Sequence, residues 1–197
     1  MTNRRQFLGL GLAASALPLT AAAVGSFGAT AAQPLPLYKV LYDTRFTASV
    51  AFAERAVARG AAVQAMAGDM TSFWYDDLYH RWQHGPAAIA GLTAYGALFC
   101  LERLAWDQRL RVVWRAEHLV AADVMQHRCQ GQVSMLRLAE HAAGRDSWPA
   151  AMADVALQCP SMSEPSHAVA EIVTSPSVAV PAAESLFSWV IGPVART

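Results

Sequence analysis

Three side chains that can exchange protons come at or just after the ends of short apolar segments in this 197-residue chain. They are Asp43, Asp69 and His118, and each apolar segment is a predicted β-strand. In a parallel α/β sheet the carboxyl ends of the strands share one edge, where ligands bind. Two carboxylates and an imidazole at such an edge suffice for general acid–base catalysis or for holding a metal. One hypothesis is therefore a small enzyme or ligand-binding protein.

Four further residues are candidates for binding at the same edge. Arg45 and Thr93 follow two of the predicted strands, and Trp74 and Tyr75 are placed to wall a pocket there. A structural explanation stands beside this one. Asp and Thr often precede helices because their side chains accept hydrogen bonds from free N–H groups, as both aspartates and Thr93 do here. Arg45 can simply pair with Asp43, and a histidine at position 118 can be a satisfied core residue.

Short apolar strands alternate with helical patterns through the first half of the chain. The predicted strands are 37–42, 61–67, 87–92 and 110–114. Strand–helix alternation of this kind favours a parallel sheet covered on both faces. With right-handed crossovers, we expect an α/β fold: a three-layer Rossmann-like or flavodoxin-like domain whose sheet is mainly parallel. This domain is assigned to residues 37–158, after a short proline-bearing linker at 32–36.

The pattern weakens after residue 118. Residues 124–129 predict an added strand, with antiparallel pairing as one option, and helices are predicted at 133–143 and from Trp148 to about 158. Residues 159–197 predict an irregular arm rich in Pro and Ser, with a final strand at 186–191. Cys100 lies in an apolar helical pattern and is expected in the core. Cys129 and Cys159 are the better pair for a disulfide, and the sequence leaves that pairing open.

Several function classes are disfavoured by composition and missing motifs. Lys plus Arg and Asp plus Glu number 15 each, so the chain lacks the basic surface of a nucleic-acid-binding protein. No Gly-x-Gly-x-x-Gly, Gly-Lys-Ser/Thr or Gly-x-Ser-x-Gly motif is present, which argues against nucleotide-dependent dehydrogenases, NTPases and serine hydrolases. His80 and His84 are four residues apart, as in some metal sites, but no Glu completes a His-Glu-x-x-His motif and no Cys-x-x-Cys is present. We therefore expect neither a bound cofactor nor a metal.

The amino terminus has the pattern of an export signal. Arg4, Arg5, Phe7 and Leu8 begin it, a moderately apolar run extends to residue 24, and Ala29-Thr30-Ala31 is a small-x-small cleavage site. An ordinary secretory signal is the alternative, and the apolar run is close to the minimum length for a retained anchor. Cleavage is favoured because Gly, Ser, Pro and Thr dilute the run. Residues 1–31 are thus predicted to be a signal peptide, leaving no stable transmembrane anchor and a periplasmic or secreted protein.

With Arg4-Arg5-Gln6-Phe7-Leu8 the chain resembles proteins exported by the twin-arginine (Tat) pathway. In signal and length it is similar to the small Tat-carrying accessory subunits of heteromeric periplasmic dehydrogenases. That resemblance implies two partners, the Tat translocase and a larger oxidoreductase subunit. It leads to the first hypothesis: an accessory subunit that escorts or stabilises the larger enzyme. An aromatic surface around Trp74, Tyr75, Tyr79 and Trp82 would make the contact.

Overall fold

A computed structural model describes residues 33–121, 124–145, 147–161, 168–174 and 185–194, with the side chains of residues 120 and 121 left out. These residues all belong to the unit Ala32–Thr197. The predicted signal residues Arg4, Arg5, Phe7 and Leu8 lie outside the described residues. None of the described helices combines the length and apolar character needed to cross a bilayer.

The described strands form one seven-stranded mixed sheet with the order β2-β1-β3-β7-β4-β5-β6. They are β1 (Leu37–Asp43), β2 (Val63–Met66), β3 (Ala88–Ala94), β4 (Leu110–Ala121), β5 (Val124–Gly131), β6 (Ala168–Thr174) and β7 (Leu186–Pro193). β1 pairs in parallel with both β2 and β3. The remaining pairs, β3–β7, β7–β4, β4–β5 and β5–β6, are antiparallel.

Helices connect and cover these strands. They are α1 (Thr47–Ala58), α2 (Thr71–Phe73), α3 (Tyr79–Gln83), α4 (Tyr95–Asp107), α5 (Val133–Ala143) and α6 (Trp148–Leu157). A π-helical segment, Trp74–Leu78, joins α2 to α3, so residues 71–83 form one continuous helical stretch. Pro149 occupies the first turn of α6, where its missing N–H removes no helical hydrogen bond.

The core lies on both faces of the sheet because strand side chains alternate in direction. Val40 and Val190 belong to a cluster with buried residues of α1, α5 and α6. Leu41 and Trp189, their chain neighbours, belong to a second cluster with residues of the 71–83 stretch and α4. The buried stripe of α4 consists of Leu98, Leu101 and Ala105, and Leu104 packs partly buried against the same cluster.

The α/β class is confirmed, but the described sheet is mixed and not mainly parallel as expected, because β7 lies between β3 and β4 and pairs antiparallel with both. Residues 186–192 are all buried, which is the pattern of a central strand covered on both faces. The last described strand therefore completes the middle of the sheet. β4 is also longer than predicted and continues into a hairpin with β5. Within the expected irregular arm, β6 pairs with β5 as an edge strand.

The cysteines Cys100, Cys129 and Cys159 are free thiols. Cys100 is exposed on α4, so its expected place in the core is wrong: it points away from the buried face that Leu98 and Leu101 form. Burial raises the pKa of Cys129 to about 12, with Glu140 adding a smaller effect, and burial also raises the pKa of Cys159 to about 12. Both buried thiols stay protonated and act as small apolar side chains.

Candidate functional site

Asp43 is the last residue of β1, and its fully buried carboxylate forms an ion pair with Arg45. Arg45 Nε donates to Asp43 Oδ1 at 3.0 Å and Nη2 donates to Oδ2 at 2.7 Å, a two-pronged pair. The backbone N–H of Arg45 also donates to Oδ1, at 3.1 Å. The Asp43 N–H donates to Ser49 Oγ at 2.8 Å, and Ser49 in turn donates to the carbonyl of Leu92. These contacts tie β1, α1 and β3 together, as the structural explanation of Asp43 expects.

The Arg45 side chain lies across the turn that follows β2. Gly68 has φ +84°, and a Cβ there would come within 2.7 Å of Arg45 Cζ. Glycine therefore serves two purposes at this position: it adopts a left-handed conformation and leaves room for the guanidinium. Arg45 also packs over the Phe46 ring at 5.1 Å. The guanidinium thus covers the ends of β1 and β2.

Asp69 is exposed and shapes the start of the 71–83 helical stretch. Its Oδ1 accepts hydrogen bonds from the Thr71 N–H at 2.8 Å and the Thr71 hydroxyl at 2.6 Å. These two bonds lower the pKa of Asp69, because they favour its charged form. A carboxylate that accepts a hydrogen bond from the backbone N–H two residues later in the chain forms an Asx turn. Asp69 therefore directs the chain into the helix.

Thr93 is buried and bonds to Trp189 of the neighbouring strand. Trp189 Nε1 donates to Thr93 Oγ1 at 3.1 Å, and Thr93 Oγ1 donates to the carbonyl of Ala94 at 3.1 Å. The indole reaches this position across Gly91, where a Cβ would come within 2.7 Å of both Trp189 Cζ2 and the carbonyl oxygen of Leu41. Thr93 therefore satisfies the one polar atom of the buried Trp189 side chain.

His118 is part of a polar row that crosses four strands of the sheet. Its Nε2 lies 2.9 Å from Ser188 Oγ, and its Nδ1 lies 2.7 Å from His127 Nδ1. His127 Nε2 lies 3.4 Å from Thr174 Oγ1. We call Ser188, His118, His127 and Thr174 the polar row. It runs along the face of β7, β4, β5 and β6 that packs against α5 and α6.

Trp148 covers the two histidines from α6. Its ring centroid lies 4.4 Å from that of His118 and 5.4 Å from that of His127. His118, His127 and Ser188 are all fully buried. The Trp148 indole N–H is also buried and has no hydrogen-bond partner in the described part of the chain. The imidazoles are therefore enclosed between a sheet and an aromatic ring.

Burial keeps both imidazoles neutral. Loss of hydration, with a smaller repulsion from His127, lowers the pKa of His118 well below its ordinary value, and loss of hydration lowers the pKa of His127 to about 4. A neutral imidazole has one donor and one acceptor nitrogen. If His118 Nδ1 donates to His127, then His118 Nε2 accepts from the Ser188 hydroxyl. The opposite tautomers reverse every bond in the row. Protonation of both imidazoles does not fit, because both Nδ1 atoms would then be donors.

The predicted catalytic residues do not come together. Asp43 lies on β1 and His118 on β4, with β3 and β7 between them. Three interstrand spacings separate them by roughly 14 Å. Each of Asp43, Asp69 and His118 has its own partners, and the three share no hydrogen bond or ion pair among those of the described residues. β7, which lies between β3 and β4, adds to the separation of Asp43 from His118 along the sheet.

Sequence reasoning missed His127, Ser188, Thr174 and Trp148. The signal for His127 is the β4–β5 hairpin. Ala121 pairs with Val124, so the register places His118 directly opposite His127. A strand assigned only to 110–114 ends before that pairing begins. Ser188 comes from β7, whose position no local pattern predicts.

The predicted aromatic surface is only partly exposed. Trp82 is buried, and its Nε1 donates to the carbonyl of Ala87 at 2.9 Å. Trp74 is half-buried and packs edge-to-face on Tyr79 and Trp82, with centroids 5.6 and 5.8 Å apart. Tyr75 and Tyr79 are exposed. The predicted set thus divides into core members and two surface tyrosines.

A second aromatic surface lies on α4, on the side away from its buried stripe. Tyr95, Phe99 and Trp106 are 50%, 49% and 44% exposed. Arg103 lies between them in sequence, with its guanidinium carbon 4.2 Å from the Trp106 ring centroid. These four residues are spaced i, i+4, i+8 and i+11 and so share one helix face. We call them the α4 outer face.

Comparisons of the chain with protein-family models, with curated proteins and with solved structures find no match. Within the described residues, no group of three or more His, Cys, Asp or Glu side chains is arranged to hold a metal ion. Function must therefore be argued from the contacts above.

Proposed function

We propose that this chain is a Tat-exported accessory subunit that escorts or stabilises a larger periplasmic oxidoreductase and has no cofactor of its own. The observation that carries the proposal is the α4 outer face. It presents two aromatic rings and a tryptophan stacked with an arginine on one exposed helix. Trp, Tyr and Arg are the residue types most enriched at the centres of protein interfaces.

The composition of this face suits a protein partner better than a small ligand. Leu98, Leu101 and Ala105 anchor the opposite side of α4 in the core, so the exposed rings are held on a rigid element. Tyr95 also contacts Phe187 of β7, with ring centroids 5.4 Å apart. Rigid aromatic side chains lose little conformational entropy on binding. Tyr75 and Tyr79 add exposed aromatic area on the same side of the sheet.

The environments of the predicted acid–base residues also favour a supporting role. Asp43 is neutralised by Arg45, and Asp69 shapes a helix start. The sheet order β2-β1-β3 is the one with which flavodoxin-like sheets begin, and it supports a Rossmann-like origin for this half of the domain. The groups at its strand ends are engaged in internal hydrogen bonds.

A direct test uses the signal. Replacing Arg4 and Arg5 together by lysine blocks Tat export, so a dependent enzyme subunit is expected to remain in the cytoplasm. Fractionation with an oxidoreductase activity assay measures this. Phe99→Glu with Trp106→Glu is expected to allow export of this chain while the enzyme stays behind. Val133→Glu, an exposed substitution on α5 at the other face of the sheet, serves as the control. Full periplasmic activity in the lysine variant contradicts the proposal.

The alternative of a small periplasmic enzyme now depends on His118 alone. Its Nε2 lies 2.9 Å from the Ser188 hydroxyl, which is the contact a general base makes with a nucleophile. Both groups are fully buried, however, so a substrate could reach them only if the helices that cover this face of the sheet moved away. Ser188→Ala separates the two proposals: the enzyme reading expects loss of function in a folded protein, and the subunit reading expects normal escort.

A further inference from the structure

A cationic groove lies between α1, α5 and α6, on the face of the sheet opposite α4. One cavity of about 280 Å³ is lined by Arg55, Arg59, His141, Arg145 and Asp154, among others. A second cavity, of about 260 Å³, shares Arg55, Arg145 and Asp154 with the first. The two cavities are therefore parts of one groove, which we call the arginine groove. Three guanidiniums converge on it.

Asp154 holds two of these guanidiniums in place. Arg55 Nε and Nη2 donate to its oxygens at 3.0 and 2.8 Å, and Arg59 Nε donates at 2.8 Å. Burial alone would raise the pKa of Asp154, but the hydrogen bonds and charges of Arg55 and Arg59 outweigh it and lower that pKa. The carboxylate stays ionised and fixes both side chains. Two flexible arginines thus become part of a preorganised wall.

The groove has more positive charge than its own carboxylate neutralises. Asp154 is shared between Arg55 and Arg59. The backbone N–H of Arg145 donates to the carbonyl of Ala142 at 3.2 Å, but its guanidinium has no hydrogen bond or ion pair with the described residues. The three arginines and the one aspartate that line the groove leave a surplus of two positive charges. A guanidinium has five N–H donors, so most donors of all three arginines remain available to a ligand.

Apolar side chains line the rest of the groove. Leu138, Ala142, Ala151 and Val155 contribute to its walls. Guanidinium forks match the geometry of carboxylates and phosphates, and an apolar wall suits a short carbon skeleton. We propose that the arginine groove binds a small organic oxyanion, with Arg145 as the ligand's main contact and Arg55 and Arg59 as its oriented supports. The shared chemistry is an anionic carboxylate or phosphate group on a compact molecule.

Arg145 gives the cleanest test, because Arg55 and Arg59 also tie α1 to α6 through Asp154. The full chain would be titrated calorimetrically with succinate, glycerol phosphate and inorganic phosphate. Saturable binding is expected for at least one probe, and the probe bound most tightly identifies the anion. Arg145→Gln should weaken that binding at least about tenfold, which is the effect of losing one charge-assisted hydrogen-bond pair. Arg137→Gln on α5 lies outside the lining and should leave it unchanged.

Two results would overturn the proposal. One is the absence of saturable binding for all three probes. The other is equal affinity in the wild type and Arg145→Gln, with circular dichroism showing both folded. Neither result depends on the accessory role, because the α4 outer face lies on the other side of the sheet.

Discussion

The two buried imidazoles predict a protein that loses stability in mild acid. His127 has a folded pKa of about 4 against an ordinary value of 6.5, because burial disfavours its charged form. Above pH 6.5 this imidazole is neutral in both the folded and the unfolded chain. As the pH falls from 6.5 toward 4, the unfolded chain takes up a proton that the folded chain does not. The free energy of unfolding therefore decreases over that window.

The size of the effect follows from the difference between the two pKa values. Two and a half pKa units correspond to about 3 kcal/mol for His127 alone, at 1.36 kcal/mol per unit. His118, whose pKa burial also lowers well below its ordinary value, adds to the loss. A loss of this size is a large fraction of the total stability of a typical domain.

The variant His127→Asn isolates the contribution. The asparagine amide can replace the Nδ1 contact with His118 but does not titrate. We expect the wild type to lose about 2–3 kcal/mol more than this variant between pH 7 and pH 4.5. Urea unfolding at a series of pH values, followed by tryptophan fluorescence, measures this difference. His141→Asn, at an exposed histidine, is the control. Equal pH slopes for the wild type and His127→Asn would refute the reasoning.

The remaining predictions concern Trp189. Thr93→Val leaves its buried indole N–H unpaired and should cost about 1–3 kcal/mol in urea unfolding, whereas Thr93→Ser should cost less; equal losses would contradict the hydrogen-bond explanation. Gly91→Ala should lower stability by more than about 2 kcal/mol, because the new Cβ would meet both the Leu41 carbonyl and the Trp189 ring. An unchanged melting temperature would contradict this close packing.

Local sequence patterns were enough to predict much of the parallel half of the fold. Apolar runs ending at Asp43 and residue 92 mark β1 and β3, and helical spacing marks α4. The structural explanation of Asp69, as a residue that precedes a helix, agrees with its hydrogen bonds at the start of the 71–83 helical stretch. These features depend on neighbours within a few residues in the chain.

The polar row could not be predicted because its members meet only through long-range pairing. Ser188 reaches His118 after β7 inserts between β3 and β4, and no local signal specifies that insertion. The predicted aromatic surface is also only partly exposed. Trp82 is buried and Trp74 is half-buried against the core, whereas Tyr75 and Tyr79 are exposed, and α4 carries a further set of exposed rings.

The most direct test of the accessory role places a photo-crosslinking phenylalanine analogue at Phe99 of the α4 outer face. Illumination of intact cells should join this chain to a larger oxidoreductase subunit, and the same analogue at Val133 should not. Equal crosslinking at both positions, or products that contain only copies of this chain, would contradict the account.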